Sequence, residues 1–476
     1  MADPGRDLPS QAFLRRRGVL RALAATPLTG PGLARPALAQ PSLLSAWATV
    51  WATVWAASAQ GPYPVGFTSA QPEQGRSLPD PASGARDQSF RMVLRPGFWG
   101  PRLRLRFSNA FGTRALVIDD AWAGVQSGGA ALLPGSNQPV RFGGGQRVSI
   151  PPGGEAWSDP ALLPFADPPT PLLEGRRLAV SFHVAGPSGP MTWHATALQT
   201  SYLSAPGGGS LGEREDEGGF PFSTTSWFFL DAVDMQAPPG LPVVVALGDS
   251  ITDGVGATLN GDDRWPDVLA RRLRAAHGGP VSVVNAGING NRILGPEGFG
   301  PASRPAPLGP GGPPALERLE RDVIRLSGVG CVIWALGIND LARGNGVAPE
   351  TVVAGIREGA RRLRAGLPGV RLVGATLTSA LASSNPAHGG AEQDARRRAV
   401  NEAIRHAGLF DAVADFDRAT LDPATGGLRP EMVPGSTVGG AGDGLHPNRA
   451  GYLAMAETVP LDALLPAPPG RPVSPR

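Results

Sequence analysis

The chain has 476 residues, of which 66 are Gly and 51 are Pro, and 41% are hydrophobic. This length exceeds one ordinary domain and predicts two or three. Because aliphatic strand-like runs recur throughout, the composition excludes a disordered chain in spite of its Gly and Pro content. No run approaches the ~20 apolar residues that cross a bilayer, so we expect no transmembrane segment.

Residues 1–39 have the pattern of an export signal. Residues 15–21 (RRRGVLR) resemble a twin-arginine motif, the following residues to position 30 are mildly apolar, and residues 37–39 (ALA) have the small-x-small form that a signal peptidase cleaves. The alternative is a disordered basic tail. Because the three parts occur in order, we expect an exported protein, periplasmic or extracellular.

The charge balance changes once this segment is set aside. The whole chain has a formal net charge of +3, with 43 basic and 40 acidic residues, but the predicted signal contains six Arg and two Asp. The remainder therefore has 37 basic and 38 acidic residues. It contains no basic stripe with interleaved aromatic residues, so we expect no nucleic-acid partner.

Cys331 is the only cysteine, which excludes an intramolecular disulfide and a cysteine-rich zinc site. It lies in the apolar run 331–336, where a small buried side chain is the simplest interpretation. No His-Glu-x-x-His or other metal-ligand spacing occurs. We therefore expect neither a metal nor another cofactor.

The first half of the chain has the pattern of an antiparallel β-domain. Residues 47–58 duplicate the sequence WATV, and we expect one copy to form the first strand and the other an appendix. Further on, residues 102–107 (RLRLRF) alternate strictly, which places Leu103, Leu105 and Phe107 on one face. Short strands and Gly/Pro turns continue to residue 236. They predict a jelly-roll-like all-β sandwich over residues 40–236.

Strands alternate with helices after a Pro-rich junction at residues 237–240. The predicted strands cover residues 243–247, 281–285, 331–336, 372–376 and 412–415, and the predicted helices cover residues 265–276, 315–326, 351–365, 391–407 and 449–459. Alternating βα units predict a parallel sheet covered by helices on both faces, an α/β/α sandwich. We assign this domain to residues 237–465 and a Pro-rich tail to residues 466–476.

Ser250 directly follows the buried-type strand 243–247 and a Gly-Asp pair. Open α/β sheets build their sites at the carboxyl ends of such strands, which makes Ser250 a candidate nucleophile. The alternative is an ordinary strand-to-helix turn in which Ser or Asp caps the helix. Asp249 and Asp253 flank the serine, and we expect them to bond the backbone of the turn. The absence of a Gly-x-Ser-x-Gly elbow disfavours the larger α/β-hydrolase family.

Four separated blocks share this placement just beyond a predicted strand or in the last loop: residues 248–250 (GDS), 285–292 (NAGINGNR), 337–340 (GIND) and 443–448 (DGLHPN). In this order they resemble the four motif blocks of the SGNH (GDSL-type) hydrolases, over about residues 241–461. Residues 104–112 and 157–160 are similar to an exported bacterial esterase subgroup with an N-terminal β-sandwich. The resemblance implies the SGNH-hydrolase fold, an α/β/α sandwich with a parallel sheet.

Among the six histidines, only His446 has an acidic residue, Asp443, three positions earlier. A serine hydroxyl needs a base to remove its proton, and a carboxylate can orient that base and stabilise its charge. We therefore predict a catalytic triad of Ser250, His446 and Asp443. The remaining histidines are interpreted as surface or structural residues: His183, His194, His277, His388 and His406.

The resemblance also implies an oxyanion hole. Its donors are the backbone N–H groups of Ser250 and Gly290 and the side-chain amide of Asn339. Gly287 is the rival of Gly290 within the second block. Each such donor typically lowers the barrier by ~3 kcal/mol.

These features predict an exported serine esterase that hydrolyses carboxylic esters through an acyl-enzyme, with short acyl (acetyl) groups on carbohydrate as the expected substrate. The partner is then a small-molecule or polysaccharide ester. One alternative is a lipase or lysophospholipase. Another is a carbohydrate-binding protein with a secondary hydrolase domain, which would use exposed aromatic rings of the sandwich: Trp99, Trp157, Trp193 and Trp227. Buried core aromatics explain these four residues equally well.

Overall fold

The computed structural model describes residues 50–167, 169–241, 243–295, 309–345 and 347–464. The predicted signal, most of the first WATV copy and the predicted tail lie outside these residues. The strands, in chain order, are β1 (Val50–Ala56), β2 (Gly61–Pro62), β3 (Gln88–Leu94), β4 (Arg102–Ser108), β5 (Leu116–Gly128), β6 (Ala131–Leu132), β7 (Gln138–Pro139), β8 (Arg147–Ile150), β9 (Glu155–Trp157), β10 (Ala161–Leu162), β11 (Leu178–Val184), β12 (Thr192–His194), β13 (Ser201–Leu203), β14 (Phe222–Thr224), β15 (Trp227–Phe228), β16 (Leu230–Ala237), β17 (Val243–Gly248), β18 (Ser282–Gly287), β19 (Val329–Ala335), β20 (Arg371–Ala375) and β21 (Ala412–Ala414).

The α-helices of the described residues lie after β17. They are α1 (Ser250–Asp253), α2 (Trp265–His277), α3 (Ala315–Leu319), α4 (Pro349–Gly366), α5 (Ala391–His406), α6 (Phe416–Thr420), α7 (Arg449–Thr458) and α8 (Leu461–Leu464). None of these helices combines the length and the apolar character needed to cross a bilayer. Four of the five predicted helices are confirmed to within three residues at each end.

The first half of the described chain forms antiparallel sheets. One has the order β1-β16-β4-β10 with β9 beside β4, and a larger one has the order β14-β13-β3-β11-β5-β6 with β7 and β8 beside β5. The predicted alternation of β4 buries Leu103, Leu105 and Phe107 completely. The Phe107 ring centroid lies 5.0 Å from that of Phe182 in β11, so the two sheets share a core. The jelly-roll connectivity stays a prediction.

Three of the four tryptophans considered for carbohydrate binding are core residues. Trp99, Trp193 and Trp227 are at most 8% exposed. Trp157 is half-buried, and the guanidinium of Arg104 stacks 4.4 Å from its ring centroid. Because stacking on a sugar requires an open aromatic face, these positions favour the interpretation as core aromatics.

The second half contains one parallel sheet with the order β18-β17-β19-β20-β21. Successive residues of its interior strand β17 face opposite layers, as expected for a strand buried on both sides. Val245 and Leu247 pack in the core that contains Ile356 of α4, whereas Ala246 packs with Leu269 of α2 on the other face. The predicted three-layer α/β/α arrangement is therefore confirmed.

Cys331 lies in β19 and is completely buried. Burial raises the pKa of its thiol to about 12, since a thiolate is poorly solvated there. The thiol therefore stays protonated and unreactive at neutral pH. Its predicted role as a small core residue is confirmed.

The predicted helical segment over residues 315–326 is confirmed over residues 315–324, but its second half is not α-helical. α3 ends at Leu319, and a π-helical turn follows over Glu320–Ile324, in which the Arg325 N–H donates to the Glu320 carbonyl at 3.0 Å. A π-turn widens the helix by one residue while the apolar spacing before it stays helical. The spacing of apolar residues therefore could not reveal it.

Candidate active site

The loop between β17 and α1 presents Ser250 at the first position of α1. Asp249 is the N-cap residue, and its Oδ1 accepts a hydrogen bond from the Ile251 N–H at 3.1 Å. Gly254 ends the helix in the left-handed conformation, with φ at +113°, which favours glycine. Because Asp249 caps the helix, the hydroxyl of Ser250 is available for another partner.

That partner is His446, in the last long loop before α7. Its Nε2 lies 2.9 Å from the Ser250 Oγ, and its Nδ1 lies 2.6 Å from the Asp443 Oδ2. The other carboxylate oxygen of Asp443 accepts the backbone N–H groups of Leu445 at 2.9 Å and His446 at 2.8 Å. The structure thus brings the three predicted triad residues into one hydrogen-bonded series.

The carboxylate of Asp443 is held in its charged form. Partial burial favours the neutral acid, but the hydrogen bonds and charge of His446 and the two backbone N–H groups outweigh it. They hold the pKa of Asp443 well below its usual range. An ionised acceptor at Nδ1 keeps the proton on that nitrogen and leaves Nε2 free to accept the serine proton.

The other predicted oxyanion-hole residues lie around the same groove. Ser250, Gly290 and Asn339 line it together with His446. Gly290 has φ at +80°, and the Asn339 amide donates one hydrogen bond, to the Asn291 carbonyl at 2.9 Å. An amide nitrogen has a second N–H, which remains available to a substrate oxygen.

The rival donor Gly287 is already engaged. Its N–H donates to the Oδ1 of Asn285 at 2.8 Å, while the Asn285 amide donates to the Thr252 carbonyl at 2.6 Å. The side chain of Asn285 therefore connects the second block to the nucleophile helix. This geometry favours Gly290 as the donor from that block.

Both halves of the chain form walls of the groove. Phe67 and Phe111 come from the antiparallel region, and Arg292 comes from the loop after β18. His388 lies in the wall formed by the segment after β20. Its side chain is buried, and burial together with the nearby His446 lowers the pKa of His388. A histidine predicted to be structural thus lies beside the candidate base.

Arg318 of α3 lies behind the site and was not predicted. The guanidinium is completely buried and bridges the carboxyl ends of β17 and β18 by donating to the carbonyls of Gly248 at 3.0 Å and Ala286 at 2.9 Å. It also donates to the Asp322 carboxylate at 3.1 Å and to the Asn291 side chain at 3.0 Å. An arginine in an amphipathic helix is typical of an exposed face, so the sequence contains no signal for this role.

Asp253 was expected to bond the backbone of its turn, but its side chain contacts groups beyond that turn. Its Oδ2 accepts the Asn289 N–H at 2.8 Å, and its Oδ1 lies 3.0 Å from the His194 Nε2. His194 belongs to β12, and its Nδ1 lies 2.8 Å from the Ser58 carbonyl. Burial alone would lower the pKa of His194, but the charge and hydrogen bond of Asp253 outweigh it and raise that pKa.

The buried carboxyl of Asp249 makes stability depend on pH. Burial raises its pKa to about 7, so the folded protein retains a proton that the unfolded chain releases above pH ~4. The stability from this group is present at low pH and is lost as pH rises to 7. In Asp249→Asn the uncharged amide still accepts the Ile251 N–H. The unfolding free energy of the variant minus that of wild type should therefore be larger at pH 8.5 than at pH 5, by on the order of 2 kcal/mol.

Denaturant unfolding of both proteins at the two pH values measures this gain. A difference between variant and wild type that is the same at pH 5 and pH 8.5 would contradict the prediction, because a pH-independent effect cannot come from ionisation.

A parallel sheet lies between two helical layers, with a serine, a histidine and an aspartate in series at its carboxyl edge. This arrangement is typical of serine hydrolases. Residues 246–454 match the family described as GDSL-like Lipase/Acylhydrolase. This part of the chain belongs to that family, and the protein is a carboxylic ester hydrolase. The expected family resemblance is therefore confirmed.

The chain is also similar to solved structures, and the two described here each match 46% of it. A carbohydrate acetylesterase family member from Sinorhizobium meliloti is 18% identical, with a TM-score of 0.33 over 46% of this chain and 95% of that chain. The lipase/acylhydrolase from Enterococcus faecalis is 23% identical, with a TM-score of 0.32 over 46% of this chain and 93% of that chain. No curated protein matches the sequence.

Proposed function

We propose that the protein is an exported serine esterase in which Ser250 is the nucleophile, His446 the general base and Asp443 the residue that orients it. The observation that supports this most directly is the hydrogen-bonded series from the Ser250 Oγ through both ring nitrogens of His446 to Asp443. Export is inferred from residues 1–39, which precede the described part of the chain.

In the acylation step, the Ser250 Oγ attacks the ester carbonyl carbon while its proton passes to the His446 Nε2. The tetrahedral intermediate collapses when the bond to the alcohol oxygen breaks, and His446 returns the proton to that oxygen. An acyl-Ser250 ester remains. Water then attacks this ester with His446 as the base, the acid leaves, and the serine hydroxyl is restored.

Charge develops on the carbonyl oxygen in both steps. The backbone N–H groups of Ser250 and Gly290 and the second N–H of the Asn339 amide are the proposed donors. Donors held in place before the reaction need no reorganisation as the charge forms, and each typically contributes ~3 kcal/mol. The left-handed φ of Gly290 belongs to the turn that presents its N–H.

For the substrate, we propose short acyl groups on carbohydrate. Polar side chains that line the groove, among them Asn289, Arg292 and Asn345, can bond the hydroxyl groups of a sugar. The half-exposed ring of Phe67 supplies an apolar face beside them. An acetylated sugar needs polar partners for its hydroxyl groups beside an apolar face for the acetyl group, and this part of the groove supplies both.

A series of p-nitrophenyl esters from acetyl to palmitoyl tests this proposal. We expect kcat/KM to be highest for acetyl or butyryl and to fall steadily beyond about eight carbons, and we expect acetate release from acetylated xylan. A maximum at long chains would instead favour the lipase alternative. Labelling by a fluorophosphonate, followed by peptide mapping, should find the adduct on Ser250.

A further inference from the structure

We propose that Gln60, in the antiparallel region, is a positioning residue that directs the Gly290 N–H into the groove. The inference rests on the proposed function, because Gly290 matters only if the groove stabilises an oxyanion. Gln60 lies between β1 and β2, far in sequence from the motif blocks, and no motif includes it. Its role follows from the one peptide group that its side chain contacts.

The side-chain amide of Gln60 is completely buried and has partners on both of its atoms. Its Nε2 donates to the carbonyls of Asn289 at 3.3 Å and Pro310 at 2.5 Å. Its Oε1 accepts the Ala195 N–H at 3.3 Å, and its own backbone N–H donates to the Trp193 carbonyl at 2.8 Å. The amide therefore has one favoured orientation.

The carbonyl of Asn289 and the N–H of Gly290 belong to the same peptide group. In a trans peptide these two bonds point in opposite directions. Because the carbonyl points to Gln60, the N–H points away from Gln60, and Gly290 lines the groove together with Ser250. The hydrogen bond to Gln60 thus fixes the direction of the proposed donor.

A peptide group before glycine needs such a restraint. Glycine populates positive and negative φ about equally, so this peptide can rotate at little steric cost. The preceding peptide is held separately, since the Asn289 N–H donates to Asp253 at 2.8 Å. The ring of Phe67 packs against the Cα of Gly290. Loss of the Gln60 amide should therefore release one peptide group while the rest of the turn stays in place.

The test is Gln60→Met, which keeps the length of the side chain and removes its hydrogen bonds. Its matched control is Gln88→Met, because Gln88 is equally buried and its Nε2 also donates to two backbone carbonyls, of Ser77 and Ser204, each at 2.8 Å. Gln88 lies in the same antiparallel region but does not contact the turn. Both variants are made in the full chain and assayed on p-nitrophenyl acetate.

For Gln60→Met we expect kcat to fall roughly 10- to 100-fold, somewhat less than complete loss of an oxyanion donor. KM should change less than about threefold, and the Ki of phenylboronic acid, whose tetrahedral adduct uses the same donors, should rise in proportion to the loss of kcat/KM. Gln88→Met should keep kcat within about twofold of wild type, even if its thermal midpoint falls as much as that of Gln60→Met.

Equal kcat values for Gln60→Met and Gln88→Met would overturn the inference, as would a fall in kcat with an unchanged Ki. If Gln60→Met does not fold, Gln60→Leu replaces it, since this neutral side chain also cannot donate to Asn289 and places no charge beside the buried carbonyls. The same outcomes then decide. Ser250→Ala is measured beside them, because full activity in that variant would refute the proposed function itself rather than the role of Gln60.

Discussion

Replacement of Ser250 by Ala is expected to lower kcat for p-nitrophenyl acetate by roughly 10⁴- to 10⁶-fold, the range seen when a triad nucleophile is removed. Without the Oγ that lies 2.9 Å from the His446 Nε2, no acyl-enzyme can form. The residual rate would come from His446 acting on water and from the oxyanion donors. Initial rates at saturating substrate measure the effect, and thermal unfolding shows that the variant is folded.

The matched control is Ser149→Ala, the same chemical change at an exposed position in β8. It should leave kcat within about twofold of wild type. If Ser250→Ala retained more than a few per cent of wild-type activity, Ser250 would not be the nucleophile. The ester hydrolase activity would then require another group in the groove.

The second large effect concerns stability. Arg318→Met should lower the free energy of unfolding by about 3–5 kcal/mol, as is typical when one partner of a buried ion pair is removed. The variant loses the donors to the carbonyls of Gly248 and Ala286, and an unsatisfied buried carbonyl is costly. It also leaves Asp322 with Arg321 as its remaining guanidinium partner. Urea unfolding followed by circular dichroism measures the change.

Arg361→Met serves as the control for this loss. Arg361 forms an ion pair with Glu358 on the exposed face of α4, and a surface pair of this kind contributes little. Its urea midpoint should match that of wild type. If the midpoints of Arg318→Met and Arg361→Met coincided, the buried network behind the site would not contribute to stability.

The position of the candidate site at the carboxyl edge of the sheet could be predicted from the sequence, because the determining pattern is local. Apolar runs predicted β17, β18 and β19, and three of the four motif blocks lie at the ends of these strands. Side chains at the carboxyl ends of neighbouring parallel strands must lie close together. The sequence therefore predicts that Ser250 and Asn339 lie in one site, and the spacing of His446 from Asp443 assigns His446 to the same site.

The contribution of the antiparallel region could not be predicted in this way. Gln60 and Asn289 are 229 positions apart, and His194 and Asp253 are 59 apart, with no shared periodicity that relates them. The tertiary arrangement, rather than the local sequence pattern, determines which face of a β-rich region packs on a given loop. For the same reason, a buried Arg318 looked like any other charged residue of a helix.

The first strand, β1, has a consequence for how this enzyme can be divided or recombined. It pairs with β16 in an antiparallel sheet, yet the Thr53 N–H donates to the Ser327 carbonyl and the Thr53 carbonyl accepts the Ser282 hydroxyl, both in the second half of the chain. A fragment cut near residue 237 would leave these polar groups and an apolar face unpaired. The hydrolase half is thus not an interchangeable module. A fragment of it that is fused to another protein would have to include β1.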